Sequence, residues 1–313
     1  MARIAIFLFI VLTSSQLAAK QLYKYQDENG QWHFTDQKPV NRENVQQQQL
    51  TVSEPKKLIR AVNRGSKLHP RFYVVNEYYG PVEIEFSVTK QENVSIYPRR
   101  VVRMTVPPRG ESFVLGIKAL REHGWNYQTL LRKVIGDPTS EPDVLFAYGQ
   151  PFPEGRKFRV SQGFNGQRSH KGEENRYAVD ISLPVGTPIL AVRDGMVMSV
   201  NQDFDIGGYQ DKFRNKANQI MILHRDGTIA IYAHLQLESI PVGAGQAVKR
   251  GQVIGRSGNT GFSSGPHLHF EIHQNLGMKG QSVPFYFVDS GGGRVTPNTG
   301  VWLTGSPAIG SPD

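Results

Sequence analysis

The chain contains no cysteine. Disulfides, thiolate metal ligands and a cysteine nucleophile are therefore excluded, and a bound metal must be held by histidine and carboxylate. Long apolar runs are also scarce. One covers residues 4–12; it follows Arg3 and precedes Thr13-Ser14-Ser15 and Leu17-Ala18-Ala19-Lys20. A basic start, a run too short to cross a bilayer and small residues before a polar stretch read as a secretory signal peptide over residues 1–19, cut after Ala19. No later segment approaches ~18 consecutive apolar residues, so the remainder is expected to be soluble, with no stable membrane span, and periplasmic or secreted. A His-Glu-x-x-His helix is missing too, which excludes the helical zinc-peptidase arrangement. Nucleic-acid motifs are absent. The net charge of +9 is spread along the chain rather than concentrated, so nucleic acid is rejected as a partner. Pairs such as Arg99-Arg100, Arg156-Lys157 and Lys249-Arg250 read as solvated faces that could favour approach to an anionic wall.

What is present is β-patterned and divides into units. Alternating aromatic and polar residues in Tyr23-Lys24-Tyr25-Gln26 and Gln31-Trp32-His33-Phe34-Thr35 flank Asn29-Gly30, a strong signal for a two-residue hairpin turn. This stretch resembles a small N-terminal domain of unknown function (DUF4124-like) found on bacterial envelope proteins. Residues 20–50 are read as that hairpin unit followed by a Gln-rich linker over 41–49. Residues 55–147 form the next unit. Val82, Ile84, Phe86 and Val88 alternate with polar neighbours, as do Val102, Met104 and Val106, which predicts a β-sandwich-like domain of unknown role.

Residues 148–290 are rich in glycine and in short apolar runs without a helical period, which predicts an antiparallel all-β domain, and 291–313 read as a C-terminal tail. The fold class expected for the whole chain is mainly β. Val185-Gly186 leading to Val192-x-x-Gly195-x-Val197 is loosely repeated by Val242-Gly243 leading to Val248-x-x-Gly251-x-Val253. Such turns recur in lipoyl- and biotinyl-carrying barrels, but those need a lysine at a hairpin tip. Here Met196 and Met198 flank Val197, which argues against that alternative.

Six of the nine histidines lie between positions 170 and 273. In the run from His267 to His273, strand alternation places His267, His269, Glu271 and His273 on one face and Leu268, Phe270 and Ile272 in a core. Two imidazoles two residues apart, ~7 Å along a strand, can converge on one small site. Asp180 lies between Val179 and Ile181 and should face away from their core. His170 lies upstream of it, and His234 ends the apolar run 229–233. His273 should be peripheral and His224, at a hairpin turn, structural; His33, His69 and His123 receive no role.

Together these residues resemble the lysostaphin/LytM-type zinc peptidases of the M23 family: a His followed by Asp, Tyr232-Ala233-His234-Leu235, the run from Gly258 to His267, and His267-Leu268-His269-Phe270-Glu271. The resemblance implies a LytM-like antiparallel domain and hydrolysis of peptidoglycan peptide cross-links. It implies Zn2+ held by His170, Asp180 and His269, with His234 and His267 as the non-ligand pair acting on water and the tetrahedral intermediate. Which of the two is the base stays open, as does whether residues 20–147 block the site. Nine residues separate His170 from Asp180, where many members have three; the difference reads as a loop insertion. The alternative is a catalytically silent wall-binding scaffold or activator of other hydrolases, against which the complete set of five residues argues.

Overall fold

The computed structural model describes residues 20–26, 32–35, 39, 45–50, 56–289 and 291–307. The signal-peptide reading of 1–19 and the turn at Asn29-Gly30 lie outside the described residues. Residues 1–53 and 54–313 are two separate units. In the first, β1 (Lys20–Gln26) pairs antiparallel with β2 (Trp32–Thr35), as the alternation predicts, and with β3 (Gln46–Leu50). The last strand overlaps the expected linker. A row of glutamines carries no apolar alternation, yet main-chain pairing with β1 needs none.

The second unit begins with β4 (Ile59–Asn63), β5 (Arg71–Asn76), β6 (Val82–Glu92), β7 (Val94–Tyr97), β8 (Val101–Val106), β9 (Glu111–Ala119) and β10 (Asn126–Ile135). They form two antiparallel sheets, ordered β4-β5-β9-β7 and β10-β6-β8. The alternating Val82, Ile84, Phe86 and Val88 of β6 face Val74 of β5 and Val114 and Ile117 of β9 in one core.

The remaining strands are β11 (Ala147–Tyr148), β12 (Lys157–Gln162), β13 (Val179–Ile181), β14 (Pro188–Leu190), β15 (Gly195–Asn201), β16 (Gln219–Leu223), β17 (Ile229–Ala233), β18 (Ala247–Val248), β19 (Val253–Arg256), β20 (Leu268–Asn275), β21 (Gly280–Ser282), β22 (Tyr286–Val288), β23 (Arg294–Val295) and β24 (Trp302–Thr304). Nine of them make one sheet, β18-β15-β16-β17-β20-β13-β12-β24, with β21 added to β20. The regular secondary structure is almost entirely strand; the described residues hold one short 3-10 turn, Asp211–Phe213. Residues 294–304, expected as tail, enter this architecture: β24 pairs with β12 and buries Leu303. Val301-Trp302-Leu303 is an apolar run of only three residues, too short to predict a strand.

The two faces of the large sheet have different partners. One face, with Ile220, Ile222, Tyr232, Leu268, Phe270 and Ile272, closes over the main core. The register of β20 follows from that burial. Leu268, Phe270 and Ile272 are each 0% exposed. Burying each is worth ~1.5–3 kcal/mol, and a one-residue slip would drive His267, His269 and Glu271 inward instead. The opposite face carries Met198, Met221 and Ile229, which join the core of the sandwich strands. Those strands thus cover part of the histidine-bearing face.

Glu83 of β6 reinforces the contact. It is 3% exposed, and its carboxylate accepts from Arg103 Nε (2.6 Å), Asn275 Nδ2 (2.9 Å) and the Met278 amide (2.6 Å). A buried carboxylate so fully paired ties β6 to the β20–β21 hairpin.

Candidate metal centre

Antiparallel register brings distant residues into one row across five strands: Gln162, Asp180, His269, Ala233 and Gln219 are successive cross-strand partners. Asp180 and His269, 89 residues apart, therefore sit side by side, with His269 Nδ1 3.0 Å from Asp180 Oδ1. His170 arrives from the loop between β12 and β13. Its side chain is 0% exposed and its Nε2 lies 3.3 Å from the same oxygen. The nine-residue spacing to Asp180 is a loop that curls back, held by Asn175, whose Nδ2 donates to the Ser169 carbonyl at 2.8 Å. His267 Nε2 lies 3.7 Å from Asp180 Oδ1. His234 packs against His267 with ring centroids 4.6 Å apart and the planes tilted by 49°. All five expected residues meet at one place.

Their hydrogen bonds define which ring nitrogens are free. A carbonyl oxygen can only accept. The Nδ1 of His170 faces the Gly163 carbonyl at 3.2 Å, that of His234 the Thr260 carbonyl at 2.6 Å, and that of His267 the Gly265 carbonyl at 2.7 Å. Each Nδ1 thus carries the proton and leaves Nε2 a lone pair. The His170 Nε2 is buried without a hydrogen-bond partner. Lone pairs of nitrogen and carboxylate oxygen facing each other at this distance repel unless a cation lies between them. His170, Asp180 and His269 present one ligand atom each within 4.8 Å of one another, the metal-capable group found among the described residues. Two imidazoles and a carboxylate form a donor set suited to a divalent transition metal, so the residues fit the group.

The titrations agree with this arrangement. Burial alone would raise Asp180, but the hydrogen bond with His269 and the His170 and His267 rings around the carboxylate outweigh it and hold its carboxyl far below the usual range. Burial would lower His269; Asp180 prevails and raises it. Burial, helped by the neighbouring rings, lowers His234 to about 3. Burial likewise lowers His267. Both rings of that pair are therefore neutral near pH 7.

His234 adopts a left-handed backbone, φ +63. For a non-glycine residue this is costly and persists only when surroundings hold it. Here Thr260 Oγ1 and Asn218 Nδ2 both donate to the next carbonyl, Leu235 O, at 2.8 and 3.2 Å. The kink at the end of β17 swings the imidazole over the groove.

Sequence reading missed Gln162. Alternation with Phe158 and Val160 would send it into the core, but a bulge between Val160 and Gln162 turns it to the site face. There its Nε2 donates to Asp180 Oδ2 (3.0 Å) and Ser169 Oγ (2.7 Å), while its Oε1 accepts the Arg168 amide at 3.0 Å. One side chain orients the carboxylate and anchors the loop carrying His170. His224 is structural as expected, its Nδ1 donating to Asp194 O at 2.7 Å.

The site opens into a groove of about 890 Å3 whose rim includes Tyr209, Arg214 and Phe262. Tyr209 and Phe262 pack at 4.6 Å with Arg214 over the Phe262 ring at 4.5 Å, forming an aromatic ledge at the groove.

Comparison with known proteins bears on this geometry. Residues 174–283 match Peptidase family M23, and residues 9–63 match a domain of unknown function, DUF4124. Residues 174–283 are a peptidase M23 domain. The M23 match contains Asp180, His234, His267 and His269 but begins after His170, whose membership in the site rests on the geometry above. Among curated relatives of the M23 domain, an uncharacterized metalloprotease of Buchnera aphidicola is 37% identical over 39% of this chain and 30% of its own length. The peptidoglycan DD-endopeptidase ShyA of Vibrio cholerae is 36% identical over 42% of this chain and 28% of its own. Lysostaphin of Staphylococcus simulans is 36% identical over 41% and 25%. The chain thus spans less than a third of the length of these relatives. The catalytic domain of the prophage-encoded M23 protein EnpA from Enterococcus faecalis, a crystal structure, is 29% identical and aligns over 43% of this chain and 95% of its own with a TM-score of 0.32.

Proposed function

We propose that this chain is a zinc metalloendopeptidase, acting in the periplasm or after secretion, that hydrolyses peptide cross-links of peptidoglycan. The observation that carries the reading is the convergence of three imidazole nitrogens on Asp180 Oδ1 at 3.0, 3.3 and 3.7 Å at the floor of an open groove. Names of the relatives support the substrate class: a peptidoglycan DD-endopeptidase and a lysostaphin.

In this reading His170, Asp180 and His269 hold the metal. Bound there, zinc acts as a Lewis acid that polarises a peptide carbonyl and makes water acidic enough to lose a proton near neutral pH. His267 and His234 lie beside the three ligands, neutral, with Nδ1–H tied to main-chain carbonyls and Nε2 unprotonated. Either ring can take the proton released when water attacks and return it to the leaving amine. The carbonyl tethers keep both rings from rotating, so the lone pairs stay aimed without further ordering. Gln162 holds the ligand carboxylate in its rotamer. The ledge of Tyr209 and Phe262 lies along the groove where a peptide strand would run.

The test is digestion of purified peptidoglycan by residues 20–313, with and without a chelator, followed by mass spectrometry of released fragments. New free amines from cut cross-links, lost on chelation and regained with zinc, are expected. Intact cross-links in the presence of bound zinc would overturn the reading.

A further inference from the structure

A second cavity, of about 420 Å3, adjoins the metal centre on the same sheet face and shares His269 and Asn175 with it. One wall is β20, where Glu271 and His273 follow His269 at alternate positions; the other is Val134 and its neighbours on β10. Its floor is apolar, from Met221, Ile229 and Ile231. Ile231 pairs across β17–β20 with Glu271, so the carboxylate rises from that floor.

Glu271 is 8% exposed and its Oε2 has no hydrogen-bond partner; the Nδ1 of His273 is buried without one as well. Buried polar atoms in folded proteins are almost always satisfied, and an isolated buried carboxylate is costly. A carboxylate oxygen accepts, so Glu271 Oε2 marks a place built for a ligand that donates hydrogen bonds, with the unpartnered His273 Nδ1 on the same wall. Among the described residues no cation comes within ion-pair distance of Glu271: Lys133, on the β10 wall, lines the cavity but makes no ion pair there. Glu174, which also lines the cavity, adds a further negative group. The chemistry is an apolar slot with an acidic, acceptor-rich end.

We propose that this cavity is a substrate subsite for an aliphatic peptide side chain ending in an amino group, the stem lying on Ile231 and the ammonium on Glu271. The proposal rests on the peptidase reading in that the cavity joins the groove at His269, so the residue it holds is adjacent to the bond cut. It gives the sandwich strands a role: β10 closes the slot and selects the side chain, while the metal row does the chemistry.

The subsite is tested on the full secreted chain with two probes, Nα-acetyl-lysine amide and Nα-acetyl-norleucine amide, titrated in NMR spectra that resolve the His273 ring. The lysine probe is expected to bind at least tenfold more tightly and to shift the His273 signals, and Glu271→Gln should abolish that preference at unchanged zinc content. Val134→Trp, which fills the slot from β10 without touching the metal row, should abolish binding of both probes and decides the matter if Glu271→Gln does not fold. In cleavage of short peptides, kcat/KM should favour lysine over norleucine beside the scissile bond. Equal affinity for the two probes, or lysine binding that leaves His273 unmoved, would overturn the subsite. Since binding is read without turnover, lysine-selective binding together with intact cross-links would sink the peptidase reading and spare this one.

Discussion

Replacing Gln162 with methionine preserves length and most of the volume but removes four hydrogen bonds at once. Its Nε2 donates to Asp180 Oδ2 at 3.0 Å and Ser169 Oγ at 2.7 Å; its Oε1 accepts the amides of Arg168 and Ser169 at 3.0 and 3.4 Å. The bond to Asp180 is charge-assisted and worth ~1.5–3 kcal/mol. Without it the carboxylate can rotate away from His170 and His269, and the 163–170 loop loses its anchor. If that preorganisation appears in metal binding, then at ~1.4 kcal/mol per tenfold zinc affinity should fall roughly 10–100-fold, the usual cost of removing a partner that orients a metal ligand. The assay is zinc titration against a chromophoric chelator, with cross-link cleavage measured at saturating zinc. Because Gln162 makes no contact with His234 or His267 in the hydrogen-bond network, turnover should return to within about threefold once zinc is saturating. An unchanged zinc affinity in a folded Gln162→Met protein would refute the positioning role.

Further outcomes are expected elsewhere. His269→Ala should lose zinc and activity together, whereas His267→Ala should retain zinc, measured by metal analysis, and lose ~10²–10⁴-fold in kcat as expected for a general acid–base group. Burial lowers His273 to about 4 from its ordinary 6.5. The unfolded chain therefore takes up a proton first as pH falls, so the protein should lose stability between about pH 6.5 and 4 and none of this contribution above 6.5. At ~1.36 kcal/mol per pKa unit, and discounted for partial exposure, His273 accounts for ~1–2 kcal/mol, so urea melts of His273→Gln should show a shallower decline over that window. Glu83→Ala removes a buried carboxylate that joins β6 to the β20–β21 hairpin. It should lower unfolding free energy by ~2–4 kcal/mol in denaturant titration, and an unaltered midpoint would show that the contact between sandwich and peptidase strands does not contribute.

The site was legible because its chemistry is concentrated in rare residue types at strand spacing. His267, His269, Asp180 and their apolar neighbours announce which face each takes, since alternation converts sequence parity into direction. His170 and His234 were found through motif rather than period: one lies in an irregular loop, the other on a left-handed residue where alternation breaks. Gln162 was hidden because a bulge reverses parity at one position, and nothing local in Val160-Ser161-Gln162 signals it. The strand Gln46–Leu50 and the return of residues 302–304 to β12 were likewise hidden, because main-chain pairing leaves little trace in side-chain pattern.

Local sequence by itself determined the all-β character, the core-facing parity of β20 and β13, and the identity of the metal-capable side chains. These follow from period-two burial and from the donor chemistry of imidazole and carboxylate, which require only neighbouring residues. Tertiary structure decided that Asp180 and His269 share a row, that three ring nitrogens converge on one oxygen, and that β10 roofs the same sheet face to leave Glu271 unpaired in a slot. Each of those depends on register between strands far apart in the chain, and register is settled by the burial of whole faces rather than by any segment alone.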